Sequence, residues 1–100
     1  MKRGDIWIVS RLGQDRKVAV VGHDKLTETR GGVLVVPISD VLSPDIVSPV
    51  VSDADGTALG VALIPRIGEV SKTSLSSPAG ALAPESVEVV DVALRAALDL

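Results

Sequence analysis

The aromatic complement of this chain is a single indole, Trp7; its 100 residues include no Phe and no Tyr. Yet 46% of them are hydrophobic, so the interior has to be assembled from Val, Leu, Ala and Ile. Valine and isoleucine are stiff at χ1 and fit a pleated sheet better than a helix. A mostly β fold is therefore expected. One hundred residues make one domain, 1–100, which buries about 65% of its unfolded surface on folding. Trp7 is expected to fill part of that core.

Ile6-Trp7-Ile8-Val9 opens the first strand, led in by Lys2-Arg3-Gly4-Asp5. Arg3-Gly4-Asp5 spells an adhesion tripeptide but serves here as the approach to a strand. Arg11-Leu12-Gly13-Gln14-Asp15-Arg16 is polar, contains glycine and is expected to be a short loop. Val18-Ala19-Val20-Val21 is a continuous apolar run, the pattern of a strand buried on both faces. A polar connection from His23 to Gly32 precedes a third strand, Val33-Leu34-Val35-Val36, closed by Pro37. Asp40 to Ser48 is a loop, with Ser43-Pro44-Asp45 as its turn. Pro49-Val50-Val51 leads a short fourth strand, and Asp53-Ala54-Asp55-Gly56 turns after it. Val61–Ile64 and Ile67–Val70 read as one fifth strand interrupted by Pro65. Strands this short, punctuated by Gly and Pro, suggest a small barrel or sandwich.

Near the end the period changes. Val87, Val90, Leu94 and Ala97/Leu98 recur at helical spacing, with Glu88, Asp91, Arg95 and Asp99 on the other side. Pro84 fits the first helical position, Glu85 and Glu88 suit the positive end of the helix dipole, and Asp91 and Arg95 form an i,i+4 pair. Ala83 falls at the N-cap.

Several functions are disfavoured. Without cysteine there are no disulfides, thiolate metal sites or cysteine nucleophiles, which suits a reducing cytoplasm. Lys2 and Arg3 do not precede the roughly 7–15 apolar residues of a signal peptide, and nothing approaches the roughly 20 that span a bilayer. A cytoplasmic protein with no membrane partner is expected. With His23 the sole histidine, paired-histidine acid–base catalysis is impossible; His23-Asp24 reads as a solvated loop. No Gly-x-Ser-x-Gly elbow marks a serine hydrolase. Asp40, Asp45, Asp53 and Asp55 lack the spacing of a calcium loop and read as solvated turns. No metal or cofactor is expected.

The net charge of −3 is unevenly spread: residues 1–36 carry +3 and residues 37–100 carry −6. A phosphate-binding surface would therefore draw mainly on the first third.

Four segments share order and spacing with one family. After the first strand they are Arg16-Lys17-Val18-Ala19-Val20-Val21, then Val35-Val36-Pro37-Ile38-Ser39, then Gly60-Val61-Ala62-Leu63. The last is Leu82-Ala83-Pro84-Glu85, running into Ala93-Leu94 and Leu98-Asp99-Leu100. Together they resemble the MazF/PemK toxins of type II toxin–antitoxin systems, across essentially the whole chain. The resemblance implies an SH3-like barrel of the CcdB/PemK type, mostly β with a C-terminal helix. It also implies a homodimer that is inhibited by a cognate antitoxin protein. Finally, it implies an mRNA interferase: a metal-independent, sequence-selective endoribonuclease that cuts single-stranded RNA by 2′-hydroxyl attack.

Carried over residue by residue, the resemblance makes Arg16 and Ser39 catalytic. A planar guanidinium meets the need to stabilise charge on a pentavalent phosphorane, but arginine is a poor general base. Arg16 is thus assigned to electrostatic stabilisation and Ser39 to a hydrogen bond on the phosphate or 2′-hydroxyl, with the proton acceptor open. Arg11, Gln14, Lys17 and Arg66 are the expected RNA-binding residues. Lys17 replaces a family proline, Ser39 a threonine and Arg66 a frequent glutamine; Asp40 follows at a position that should not repel phosphate, and the first loop is short and lacks a base-stacking aromatic. These departures bear on rate and sequence preference.

Plainer readings stand beside these. A strand arginine is usually solvated or salt-bridged, and a serine after Val-Pro usually bonds the strand end. Two rival functions are a CcdB-like gyrase-binding toxin and a catalytically weak homologue that retains antitoxin binding. The first lacks the aromatic C-terminal end that CcdB uses, since this chain ends Leu98-Asp99-Leu100.

Overall fold

A computed structural model describes residues 2–98 apart from 12, 23–30, 42 and 46, and for Arg11 only the backbone. The expectations for His23, Asp24, Asp99 and Leu100 fall outside the described residues. Among the described residues seven strands, β1 (Asp5–Arg11), β2 (Gln14–Val20), β3 (Gly32–Ser39), β4 (Val50–Ser52), β5 (Ala58–Ala62), β6 (Gly68–Ser71) and β7 (Leu75–Ala81), precede a C-terminal helix, α1 (Pro84–Leu98). They form one curled antiparallel sheet in the order β4-β5-β3-β2-β1-β7, with β6 paired to β3. The fold is mostly β with a C-terminal helix, as the resemblance implied, and its sheet curls into a half-barrel.

Three segments depart from the sequence reading. Residues 14–16 are not loop: β1 and β2 are separated only by residues 12 and 13, and Gly13 sits at φ +77°, where a side chain would be strained. The polar tip Gln14–Lys17 is exposed yet extended, because its backbone pairs with β1 from Ile8–Lys17 to Arg11–Gln14. Leu75-Ser-Ser-Pro-Ala-Gly-Ala also makes a strand, β7, despite its Pro and Gly. It lies at the sheet edge, where a residue without an N–H is tolerated, and its register with β1 shifts on either side of the Trp7–Pro78 to Ile8–Ser77 pairs.

Pro65 does more than interrupt a strand. Ile64–Arg66 is a 3-10 turn that separates β5 from β6, and both return to β3. β6 pairs Gly32–Val35, whereas β5 pairs Ile38 and Ser39. One strand thus changes partner halfway along its length, and the sheet curls at that point.

Burial falls into two clusters, one on each face. Ile6, Ala19, Val36, Ala62, Ile64, Val90 and Leu94 pack between sheet and helix. Val9, Val18, Val20, Val33, Val35 and Leu75 form the other, with Trp7 half-buried against it. Residues 18–21 are buried throughout, as a strand covered on both faces requires. The helix starts where Pro84 placed it, with the Ala83 carbonyl accepting the Ser86 and Val87 amides. Its fully buried side is Ser86, Val90, Ala93 and Leu94, with Val87 partly covered, while Ala97 and Leu98 are exposed. Asp91 pairs with Arg3 ahead of β1 rather than with Arg95.

Candidate functional site

Strand alternation aims the site residues. Arg16 lies opposite Val9 and Val18 opposite Trp7, so Arg16 shares a face with the second cluster. The β2–β3 ladder ends at Val18–Pro37. Continuing that register by one side-chain repeat sets Arg16 across from Ser39. Because the ladder stops there, the two strand ends diverge and leave an open cleft instead of a packed pair.

That cleft, of about 520 Å³, is lined by Gln14, Asp15, Arg16, Lys17, Ile38, Ser39, Asp40, Val41 and Leu59. It gathers Arg16, Ser39, Gln14 and Lys17 from two strands, β2 and β3. Gln14 orients the arginine: Nη2 of Arg16 donates to Oε1 of Gln14 at 3.3 Å. Ser39 Oγ accepts the Val41 amide at 3.3 Å, a local turn that folds the chain over Asp40. The hydroxyl that the resemblance makes catalytic therefore also shapes the loop beside it.

Gly60 fixes the opposite wall. It sits in β5 at φ +128°, and a Cβ there would stand 2.3 Å from the Ser39 carbonyl oxygen and 3.1 Å from the Asp40 Cα. Only glycine lets β5 approach so closely while holding this backbone angle. The Gly60-Val61-Ala62-Leu63 segment thus has a physical reason to begin with glycine, a reason that pattern alone does not reveal.

Arg66 lies elsewhere. It lines a second cleft of about 370 Å³ whose floor is Val9, Val18, Val35, Pro37 and Val70. Arg16 borders both clefts and so forms the wall between a polar and an apolar compartment. Arg11 Cα pairs with Gln14 Cα at the hairpin end, while its side chain lies outside what is described. Asp15, Ile38, Asp40, Val41 and Leu59 are the cleft residues that the sequence reading missed as site components; Asp40 was legible only as the neighbour of Ser39.

Chemically the cleft offers a guanidinium, an ammonium, a hydroxyl and an amide, donors suited to an anionic phosphodiester, together with two carboxylates, Asp15 and Asp40. Among the described residues no three His, Asp or Glu side chains come together to hold a metal ion. No described helix is long and apolar enough to cross a membrane.

The whole molecule resembles known structures. An endoribonuclease in complex with its cognate antitoxin, from a mycobacterial species, superposes with a TM-score of 0.89 at 17% identity, covering 100% of this chain and 96% of the other. MazF in a MazE–MazF complex (form II) from Deinococcus radiodurans gives 0.85 at 14% identity, covering 100% and 96%. The Mycobacterium tuberculosis toxin MazF-mt6 gives 0.80 at 18% identity, covering 96% and 97%. Identities this low establish a shared fold. Residues 2–98 also match the model of the PemK-like, MazF-like toxin family. The chain therefore belongs to the PemK-like, MazF-like toxins of type II toxin–antitoxin systems.

Proposed function

We propose that this chain is a sequence-selective endoribonuclease that cleaves single-stranded RNA without a metal ion. The 2′-hydroxyl attacks the adjacent phosphorus, leaving a 2′,3′-cyclic phosphate and a 5′-hydroxyl. Arg16 stabilises the charge that builds on the non-bridging oxygens, and Ser39 hydrogen-bonds the phosphate or the nucleophile. Lys17 and Gln14 hold the backbone and the arginine. Arg66 and the aliphatic floor beside it seat a neighbouring base, and Arg11 extends the basic surface along the hairpin.

The observation that carries this reading is the convergence of Arg16 and Ser39 on one open cleft. Family membership and fold neighbours that include endoribonucleases support it. The same neighbours include toxins held by antitoxins, which favours a cognate antitoxin as partner. A cytoplasmic homodimer is the assembly we expect.

The test is incubation with a defined RNA in EDTA, followed by mapping of the new ends. Cleavage should persist and leave 5′-hydroxyls. Activity that vanishes in EDTA and returns with magnesium would overturn the mechanism.

A further inference from the structure

The reaction above leaves one proton without a destination, that of the attacking 2′-hydroxyl. Arg16 and Lys17 are donors with no acceptor atom, and the Gln14 amide is not a base. The neutral Ser39 hydroxyl is not a base either, and its oxygen already accepts the Val41 amide. Two carboxylates remain on the cleft, Asp15 and Asp40. Asp15 pairs with Ser10 across the hairpin, on the face opposite Arg16, and its Oδ1 accepts the Ser10 hydroxyl at 2.5 Å. One of its oxygens is thus already engaged, which makes it the less available of the two carboxylates.

Asp40 is placed differently. It is exposed, lines the cleft, and among the described residues makes no ion pair with Arg16 or Lys17. It thus shares the cleft with both cations without being ion-paired to either. Its backbone is held on both sides, by the Ser39–Val41 turn and by the close approach of Gly60.

Resting on the RNA-cleaving reading, we infer that Asp40 is the general base of the reaction. Its carboxylate takes the 2′-hydroxyl proton as the O2′–P bond forms and the P–O5′ bond breaks. The departing O5′ takes a proton from water in the open cleft. Asp40 then returns its own proton to solvent, so the step is balanced without a co-reactant. The contrary view, that Asp40 is an idle turn residue, predicts an effect of opposite sign. An idle carboxylate beside a phosphate site repels RNA, and removing it should speed cleavage.

The test compares wild type, Arg16→Ala, Asp40→Asn and Asp40→His on one single-stranded transcript in EDTA, with melting temperatures as a check on folding. Asp40→Asn should lower kcat about 100-fold, at the low end for losing a general base, without raising KM. Asp40→His should regain part of the rate, with a new limb rising through about pH 6.5 as the imidazole loses its proton. A rate for Asp40→Asn equal to or above wild type overturns the inference alone, as does an Asp40→His profile identical to that of Asp40→Asn. A wild type that cuts no RNA overturns the underlying reading and this inference with it.

Discussion

The two ends of β3 are built on opposite terms. At Gly32–Val36 the strand lies between β2 and β6, and Val33, Val35 and Val36 are buried. At Pro37–Ser39 the β2 ladder runs out, β5 takes over the other edge, and Ile38 and Ser39 line the open cleft. One end contributes stability by burying branched aliphatics, and the other keeps polar groups accessible by refusing to complete its pairing. The difference teaches that unpaired strand ends can be where a small sheet does its chemistry, because there alone can polar side chains converge without being buried.

The sharpest way to test that separation is Arg16→Ala. Arg16 is exposed and its one described hydrogen bond is to Gln14, so the fold should not depend on it. Cleavage should fall by about a hundredfold or more, roughly 2.7 kcal/mol of transition-state stabilisation, while the melting temperature hardly moves. A variant that unfolds while its folded fraction stays active would show that Arg16 is structural and that the two ends are not separate.

Gly60→Ala should break the comparison from the other direction, because Gly60 ties the cleft to the sheet. A Cβ 2.3 Å from the Ser39 carbonyl oxygen forces backbone to move, and φ +128° is strained for any L residue. We expect a loss of about 2–3 kcal/mol and a melting temperature lower by about 10 °C or more, together with lower activity per folded molecule. Gly56→Ala is the control: φ is +85°, but nothing lies within 4 Å of the added carbon, so only the angular strain of about 1 kcal/mol applies. Equal losses at the two glycines would show that the approach of β5 to Ser39 does not matter.

Neutralising Lys17 or Arg66 is a finer probe. Each phosphate contact removed should reduce the slope of log affinity against log salt by about 0.7 on single-stranded RNA. Arg95→Ala on the helix should leave the slope unchanged. If Arg66 contacts a base and not a phosphate, its substitution will change sequence preference at constant slope, which would divide the two clefts by role.

How much of this was visible in the sequence follows the same division. Ile6–Val9, Val18–Val21 and Val33–Val36 announce themselves because their burial is written in their side chains. The helix is equally plain, since Pro84, Val90 and Leu94 state both its start and its buried face. Gln14, Asp15 and Leu75–Ala81 escaped because their strands are made by backbone pairing at a hairpin tip and at a sheet edge, where side chains carry no alternating signal. The site was legible only in part. Resemblance to a family pointed to Arg16 and Ser39, but neither period nor composition brings residue 16 opposite residue 39. Register does that, and it also brought in Asp40 and Gly60.

The smallest effect concerns the start of the helix, on a surface that contributes nothing to either cleft. Ala83 occupies the N-cap, and its carbonyl already receives the Ser86 and Val87 amides. Alanine offers no side-chain acceptor to the first turn, so serine should help, and in an open cap the gain is about 1 kcal/mol. Ala83 is only 7% exposed, however, which means that the new hydroxyl must be desolvated as it forms its bond to the first-turn amides. The two terms nearly cancel, and Ala83→Ser should stabilise by no more than about 0.5 kcal/mol, a rise of 2–4 °C at most in a domain of this size. Ser86 provides a built-in comparison: its buried hydroxyl accepts the Ser52 amide at 2.9 Å and ties the first helical turn to β4. Removing that acceptor by Ser86→Ala strands a part-buried N–H and should cost about 1–2 kcal/mol, several times what a serine at residue 83 can return. Thermal melts of the two variants decide between these values, and cleavage rates should be the same in both. A loss above 1 kcal/mol for Ala83→Ser would mean that the cap has no room for an oxygen, and that the helix is anchored through Ser86 and its packing alone.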